Sequence, residues 1–299
     1  MDPHERIAQL SRDIGIFHVA CRRLDAEGGF ALRELDTVPI ASMYKVLLAL
    51  EVADAFESGS LAPDTPVRIP PSMHTPEGAG LTEFAYPVTV SLRDLIYMSL
   101  AWSDNTASDV LLDRVGVDAV VARAHRLGLG SVGIVGDCRT LLSNAARDFG
   151  YANDADAARA DWEPMTDESD LALGRTTRAS VADLARLAEF IELETAAAPA
   201  ACRLVRQLMG TQVWTARFAT AFPEPDWNRA SKTGTLNPWR GEFGIVSRAD
   251  GATFALAVAV RRHHRRTPGV SIDSAVSAVA SSAVALSEVD DNPACTSRQ

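Results

Sequence analysis

Strand-like sequence in this chain is confined to its two ends, so any sheet it forms must bring together segments from opposite ends, across a long helical middle. Residues 13–22 alternate apolar and small side chains, 25–29 supply turn residues, and 30–35 return as a second strand. Strand signals resume only after about residue 210, at 229–235 and in a hairpin over 243–260 turned at Asp250-Gly251. Between them, 92–101, 106–115 and 117–127 have helical patterns, while 60–90, rich in proline and glycine, looks like an irregular connection. Ile272, Val276, Val279, Ala283 and Leu286 recur at helical spacing, giving a last helix over 270–286 that can pack on the sheet. The expected fold is α/β (α+β): an antiparallel sheet flanked by helices and formed by residues 1–59 and 212–299, with an inserted all-helical region over 60–211. A cleft is expected where the two regions meet.

Three short motifs fall where those regions join. Ser42-Met43-Tyr44-Lys45 stands where an apolar stretch turns into a helix that is apolar on nearly every side (Val46, Leu47, Leu48, Leu50, Val52) and ends near Gly59. A serine is a weak nucleophile at neutral pH, and a lysine one helical turn later can remove its proton. Partial burial and a second cation both make an ammonium easier to deprotonate, and Lys232 is the obvious second cation. Ser103-Asp104-Asn105 follows 61 residues after Ser42, and Lys232-Thr233-Gly234 lies on an expected strand 67 residues from the C-terminus. Alone, Ser-x-x-Lys is also what a serine-capped helix start looks like, and Ser-Asp-Asn what a turn looks like. Together, in this order, they read as one active site.

In motif identity and order the sequence resembles the penicillin-recognising serine enzymes, the class A β-lactamase and D,D-peptidase superfamily, over roughly residues 13–288. The resemblance implies a serine hydrolase with an acyl-enzyme on Ser42, general-base chemistry at Lys45, and Ser103 relaying a proton to the leaving group between Lys45 and Lys232. It implies that Asn105 orients a substrate amide and holds Lys45, and that Lys232, Thr233 and Thr235 bind a substrate carboxylate. The oxyanion then rests on the N–H groups of Ser42 and Thr235, with Gly234 leaving the edge strand uncluttered.

One departure bears on the fate of an acyl-enzyme. Class A enzymes carry a Glu-x-x-Leu-Asn pattern whose glutamate activates the hydrolytic water, and this chain has none. Trp162-Glu163-Pro164 is similar to its beginning, but Met165-Thr166-Asp167 follows, and Glu163 stands 60 residues past Ser103, much farther than in class A. Arg175-Thr176-Thr177 matches the family's later threonine-rich stretch, so the acidic segment at about 137–174 contains an insertion and fits a solvated loop or lid. Glu163 is either a deacylation base or a surface carboxylate. Arg217, Trp239 and Arg240 flank the third motif and can border the carboxylate end of the pocket; an arginine near a strand end is also an ordinary surface charge.

Composition narrows the partners. With 299 residues, 47% of them hydrophobic, the chain can bury a large core, and a formal net charge of −10 disfavours nucleic acid and anionic membrane surfaces. The basic run Arg261-Arg262-His263-His264-Arg265-Arg266 has the look of a solvated loop. The first residues show no secretion signal and no apolar run is long enough to span a bilayer, so a cytoplasmic location is expected. Cys21, Cys138, Cys202 and Cys295 lack paired spacing, and His18, His74 and His125 lack ligand spacing; no metal and no cofactor are expected. The leading function is a serine hydrolase acting on a β-lactam or another small amide or ester. The alternative is an esterase, peptidase or acyltransferase of the same fold working on a cytoplasmic metabolite, including within antibiotic biosynthesis. A non-catalytic lactam or peptide binder is disfavoured by the intact motifs.

Overall fold

The computed structural model describes residues 1–151, 172–263 and 271–288. Its centre is a five-stranded antiparallel sheet in the order β2-β1-β9-β8-β7, made of β1 (Gly15–Arg23), β2 (Gly29–Leu32), β7 (Trp227–Leu236), β8 (Trp239–Arg248) and β9 (Thr253–Arg262). The two chain ends join where β1 pairs with β9, from Gly15 opposite Arg262 to Arg23 opposite Phe254. Alternation along β9 sorts side chains by size as well as by face. Phe254, Leu256, Val258 and Val260 enter the core under the terminal helices, whereas Ala255, Ala257 and Ala259 face the opposite core. The alanine face lets a helix approach closely, and α7 (Val181–Glu192) packs against β9 there. On the large-residue face lie α1 (Pro3–Asp13) and the C-terminal helix α9 (Ile272–Ser287), which also touch each other.

α1 is not among the elements expected from periodicity, although Asp2 followed by Pro3 is a strong start signal. The Asp2 carboxylate accepts from the N–H groups of His4 and Glu5 at 2.9 and 3.3 Å, and Ile7 is buried against the sheet. The remaining ends-of-chain elements agree with expectation to within a few residues.

The middle of the chain is mainly helical: α2 (Lys45–Glu57), α3 (Leu92–Tyr97), α4 (Asn105–Val115), α5 (Val117–Arg126), α6 (Cys138–Asp148), α7 and α8 (Pro199–Met209). It is not purely so. β4 (Pro66–Ile69) and β5 (Val88–Ser91) form a two-stranded ribbon inside the stretch read as irregular, and β3 (Thr37–Pro39) pairs with β6 (Arg178–Ser180). Strands of three or four residues offer too few alternations to stand out from a proline-rich background. Central in this half is α2, buried at Lys45, Val46, Leu47, Leu48, Ala49, Leu50, Val52 and Ala53. No helix among the described residues is long and apolar enough to cross a membrane.

α2 is fastened to its neighbours by one buried cation. Arg123 of α5 is only 5% exposed, bonds Glu51 and Asp54 of α2 at 2.6 Å each, and donates to the Ala196 carbonyl at 2.9 Å. Arg123→Met leaves these acceptors without their donor, and urea unfolding should show a loss of about 3 kcal/mol. That is the low end of the range for a broken buried pair, because Glu51 and Asp54 keep partial contact with water.

Candidate active site

Ser42 lies in a 3₁₀ turn, Ala41–Tyr44, and the α-helix proper begins at Lys45. The turn sits directly on the sheet. A Cβ added to Gly234 meets the Ile40 carbonyl oxygen at 2.3 Å and Met43 side-chain carbons at 3.0 Å, so glycine is what allows β7 and the Ser42 turn to touch. On the other side, α3 runs into a π-type turn over Met98–Trp102 that ends with Ser103 in the left-handed region, at φ 58°. Asp104 then caps α4. One of its carboxylate oxygens accepts from Ala107 N–H at 2.8 Å and the other from Leu81 N–H at 2.6 Å, while burial pushes its pKa up.

Three regions remote in sequence therefore converge on Ser103. Lys45, fully buried, donates to the Ser103 carbonyl at 2.6 Å and to Asn105 Oδ1 at 2.8 Å. Asn105 is in turn held by its amide, which donates to the carbonyls of Glu77 and Pro76 at 2.8 and 3.2 Å. Lys232, also fully buried, donates to the Ser103 hydroxyl at 2.9 Å and to the Thr233 carbonyl at 3.0 Å. Burial, and next the positive charge of Lys45, hold the Lys232 pKa well below the ordinary lysine value. Two buried lysines thus flank one serine, Lys45 at its carbonyl and Lys232 at its hydroxyl.

Ser42, Ser103, Asn105, Thr233, Thr235 and Arg217 all line a cleft of about 470 Å³. β7 is the sheet's edge, and the Thr233 N–H points off that edge to Gln212 Oε1 at 2.7 Å. Alternate residues of a strand direct their N–H groups to the same side, so the Thr235 N–H also points off the edge. Arg217 is buried at the end of the cleft, bonded to Asp273 at 2.6 Å, to the carbonyls of Gly234 and Gly241 at 3.1 and 2.6 Å, and to the Thr235 hydroxyl at 2.8 Å. Arg240 is not among the lining residues. It donates to the Trp239 carbonyl, and burial followed by repulsion from Arg217 brings its pKa down to about 10. Glu163 and the core of the expected insertion lie outside the described residues.

Several residues that shape the cleft did not stand out in the sequence. Trp102 and Trp214 form its half-exposed rim, where Trp214 Nε1 donates to the Trp102 carbonyl at 3.2 Å. Cys138, Leu141 and Leu142 of α6 make an apolar wall. The Cys138 thiol lies 3.2 Å from the Tyr44 hydroxyl; burial pushes the thiol up to about 12 and holds the phenol well above its usual value, so both stay neutral at physiological pH. Glu242 and Asp273 were equally silent, being single acids in otherwise ordinary strand and helix patterns. The described cysteines, Cys21, Cys138 and Cys202, are unpaired and buried.

A helix-flanked antiparallel sheet with a serine-and-lysine cleft at its edge is the fold of the β-lactamase-type serine hydrolases. The chain belongs to the beta-lactamase enzyme family, whose profile, Beta-lactamase2, matches residues 3–284. It is 29% identical over 265 residues to the beta-lactamase regulatory protein BlaB of Streptomyces cacaoi, an alignment covering 77% of this chain and 83% of that one. Among solved structures it resembles a beta-lactamase from Sphaerobacter thermophilus, with a TM-score of 0.77 at 20% identity over 96% of this chain and 97% of the other. It also resembles PBP-A, with a TM-score of 0.74 at 17% identity over 94% and 93%. At these identities the structural likeness speaks for the fold.

Because the Ser42 turn rests on β7 through Gly234, Gly234→Ala should displace it. The methyl group has to move the Ile40 backbone rather than a flexible side chain, so a loss of about 1–3 kcal/mol is expected in chemical denaturation. An unchanged midpoint would show that the turn yields freely.

Proposed function

We propose that the chain is a serine acyl-transfer enzyme that forms an acyl-enzyme on Ser42 with a β-lactam or a related small amide or ester. What supports this reading is the convergence of Lys45 and Lys232 on Ser103, one at its carbonyl and the other at its hydroxyl, beside the cleft that Ser42 and Ser103 both line. In the proposed reaction Lys45 accepts the Ser42 proton as the hydroxyl oxygen attacks the carbonyl carbon. The N–H groups of Ser42 and Thr235 hold the oxyanion. The tetrahedral intermediate collapses with cleavage of the carbonyl–nitrogen or carbonyl–oxygen bond, and the leaving atom takes a proton through the Ser103 hydroxyl. Asn105 fixes Lys45, and Lys232 supports Ser103 mainly through its charge.

A second reading is favoured by two observations. The relative from Streptomyces cacaoi is named a regulatory protein, and the α6 wall of the cleft is apolar and neutral at Cys138, Leu141 and Leu142. With no Glu-x-x-Leu-Asn pattern in the sequence, release of the acyl group by water is expected to be slow. The acyl-enzyme then serves as a signal, or as a donor to an acceptor other than water, as in an esterase, peptidase or acyltransferase.

Intact-protein mass spectrometry after exposure to benzylpenicillin or a fluorophosphonate should show one adduct, absent from Ser42→Ala; an adduct surviving that substitution places the nucleophile elsewhere. Lys45→Arg keeps the charge but is a poor base, so acylation should fall by at least about 10²-fold, and Lys232→Arg should be milder. Equal acylation by Lys45→Arg and the parent rules Lys45 out as the base.

Hydrolysis is checked separately. With a chromogenic cephalosporin, a burst followed by slow turnover is expected, and Glu163→Gln should leave both phases as they are if Glu163 is a surface carboxylate. A normal burst with further slowing in that variant instead assigns the water-activating role to Glu163. Rapid multiple turnover by both proteins contradicts slow release itself.

A further inference from the structure

One turn of α6 decides what an ester on Ser42 would meet along the cleft wall. Residues i, i+3 and i+4 of a helix share a face, and Cys138, Leu141 and Leu142 all line the cleft with Ser42 and Asn105. The pattern Glu-x-x-Leu-Asn has that same spacing. Laid on Cys138-Arg139-Thr140-Leu141-Leu142 it keeps its leucine, with a thiol in place of the glutamate and a second leucine in place of the asparagine. Cys138 stands 35 residues past Ser103, against 60 for Glu163.

The turn is tied down. Asp109 of α4 accepts from the Cys138 N–H at 2.6 Å and the Arg139 N–H at 3.3 Å, and the Thr75 hydroxyl donates to it at 2.7 Å. The Arg139 guanidinium donates to the His74 carbonyl at 2.6 Å, and the Cys138 thiol meets the Tyr44 hydroxyl at 3.2 Å. Burial pushes the thiol up to about 12 against the pull of the Lys45 charge, so the thiol lies within electrostatic reach of that lysine. Hydrolysis of an ester on Ser42 takes a water whose oxygen attacks the carbonyl carbon while a base accepts its proton. The bond to Ser42 Oγ then breaks, and Oγ recovers a proton. A neutral thiol and two leucines neither accept that proton nor hold the water, which needs several polar partners in such a place. Among the described lining residues the carboxylates are Asp273, bonded to Arg217 at the end of the cleft, and Glu77, which is exposed.

We propose that Cys138 occupies the water-activating position of this cleft: the first turn of α6, and not Glu163, sets the lifetime of the acyl-enzyme, and a carboxylate at 138 turns the chain towards hydrolysis. This rests on the acyl-transfer reading of Ser42 and goes beyond it by naming the residue that governs release. A carboxylate there feels the same lysine charge, which favours its ionised, basic form.

The test follows the benzylpenicillin adduct on Ser42 by intact-protein mass spectrometry after excess ligand is removed. In the parent the adduct should persist, and Glu163→Gln should leave its lifetime unchanged. Cys138→Glu, and Cys138→Asp as the closer match in size, should each shorten it by at least about tenfold, the low side of what a general base contributes, because the wall was not shaped around one. Release from both should quicken as pH rises and the new carboxylate ionises. Cys138→Ser, which brings a hydroxyl but no base, should keep the parent lifetime. Thermal melting checks folding. Rapid release by the parent, a longer lifetime in Glu163→Gln, or folded Cys138→Glu and Cys138→Asp that both keep the parent lifetime overturns the proposal. If neither carboxylate variant folds, the parent and Glu163→Gln lifetimes decide it. No adduct on the parent removes the acyl-transfer reading and this inference with it, whereas a persistent adduct indifferent to every change at 138 removes the inference alone.

Discussion

Two fully buried lysines flank one serine, and most of the cleft is arranged around the difficulty of keeping them there. Removing an ammonium from water costs several kcal/mol even after relaxation, and a second ammonium nearby adds repulsion. The depressed pKa of Lys232 is the trace of that cost. Compensation comes from acceptors of the second and third motifs: the Ser103 carbonyl exposed by the left-handed end of the π-type turn, Asn105 Oδ1 at the start of α4, the Ser103 hydroxyl and the Thr233 carbonyl. Asp104 and Glu242 supply buried negative charge nearby, and each attracts a lysine: Asp104 feels Lys45, and Lys232 feels Glu242. Loss of any acceptor leaves a charge that the rest of the site is not built to carry.

The same constraint explains why the polar framework is made of main-chain groups as often as of side chains. Carbonyls of Ser103, Glu77, Pro76, Gly234 and Gly241 each receive a charged or amide donor. Main-chain acceptors cannot swing away, so the lysines and arginine they hold are confined without large side-chain entropy losses on the acceptor side. Gly234 contributes by absence: with no Cβ, the edge strand can lie against the Ile40 carbonyl.

Much of this was legible in the sequence because the informative features are local. Ser42 and Lys45 are one turn apart whatever surrounds them, and the strand carrying Lys232 shows itself by composition. The joining of the two chain ends followed from strand signals lying at both termini. What stayed hidden depends on register. Glu242 faces Thr233 only because β7 and β8 turn tightly at Asn237-Pro238, a proline that reads as a break rather than as a hairpin turn. Gln212 and Asp273 lie on segments whose patterns say nothing about the cleft. The π-type turn before Ser103 was invisible for another reason, since one extra residue in a helix leaves its apolar stripe nearly intact.

The strap between the two sides of the cleft has an evolutionary reading. Val213 N–H bonds the Ala101 carbonyl at 3.0 Å, and the Trp214 indole bonds the Trp102 carbonyl; in both cases the acceptor is backbone, and in the first so is the donor. The gauge of the opening is therefore written largely in main chain: 101 and 102 lend carbonyls that every residue has, and 213 lends an N–H that only proline lacks. Apart from the Trp214 indole, side chains along that rim are free to drift. A lineage using this scaffold can change what enters the cleft without renegotiating the spacing between its walls, and half-exposed Trp102, which lends the strap only its carbonyl, is where such divergence meets least resistance.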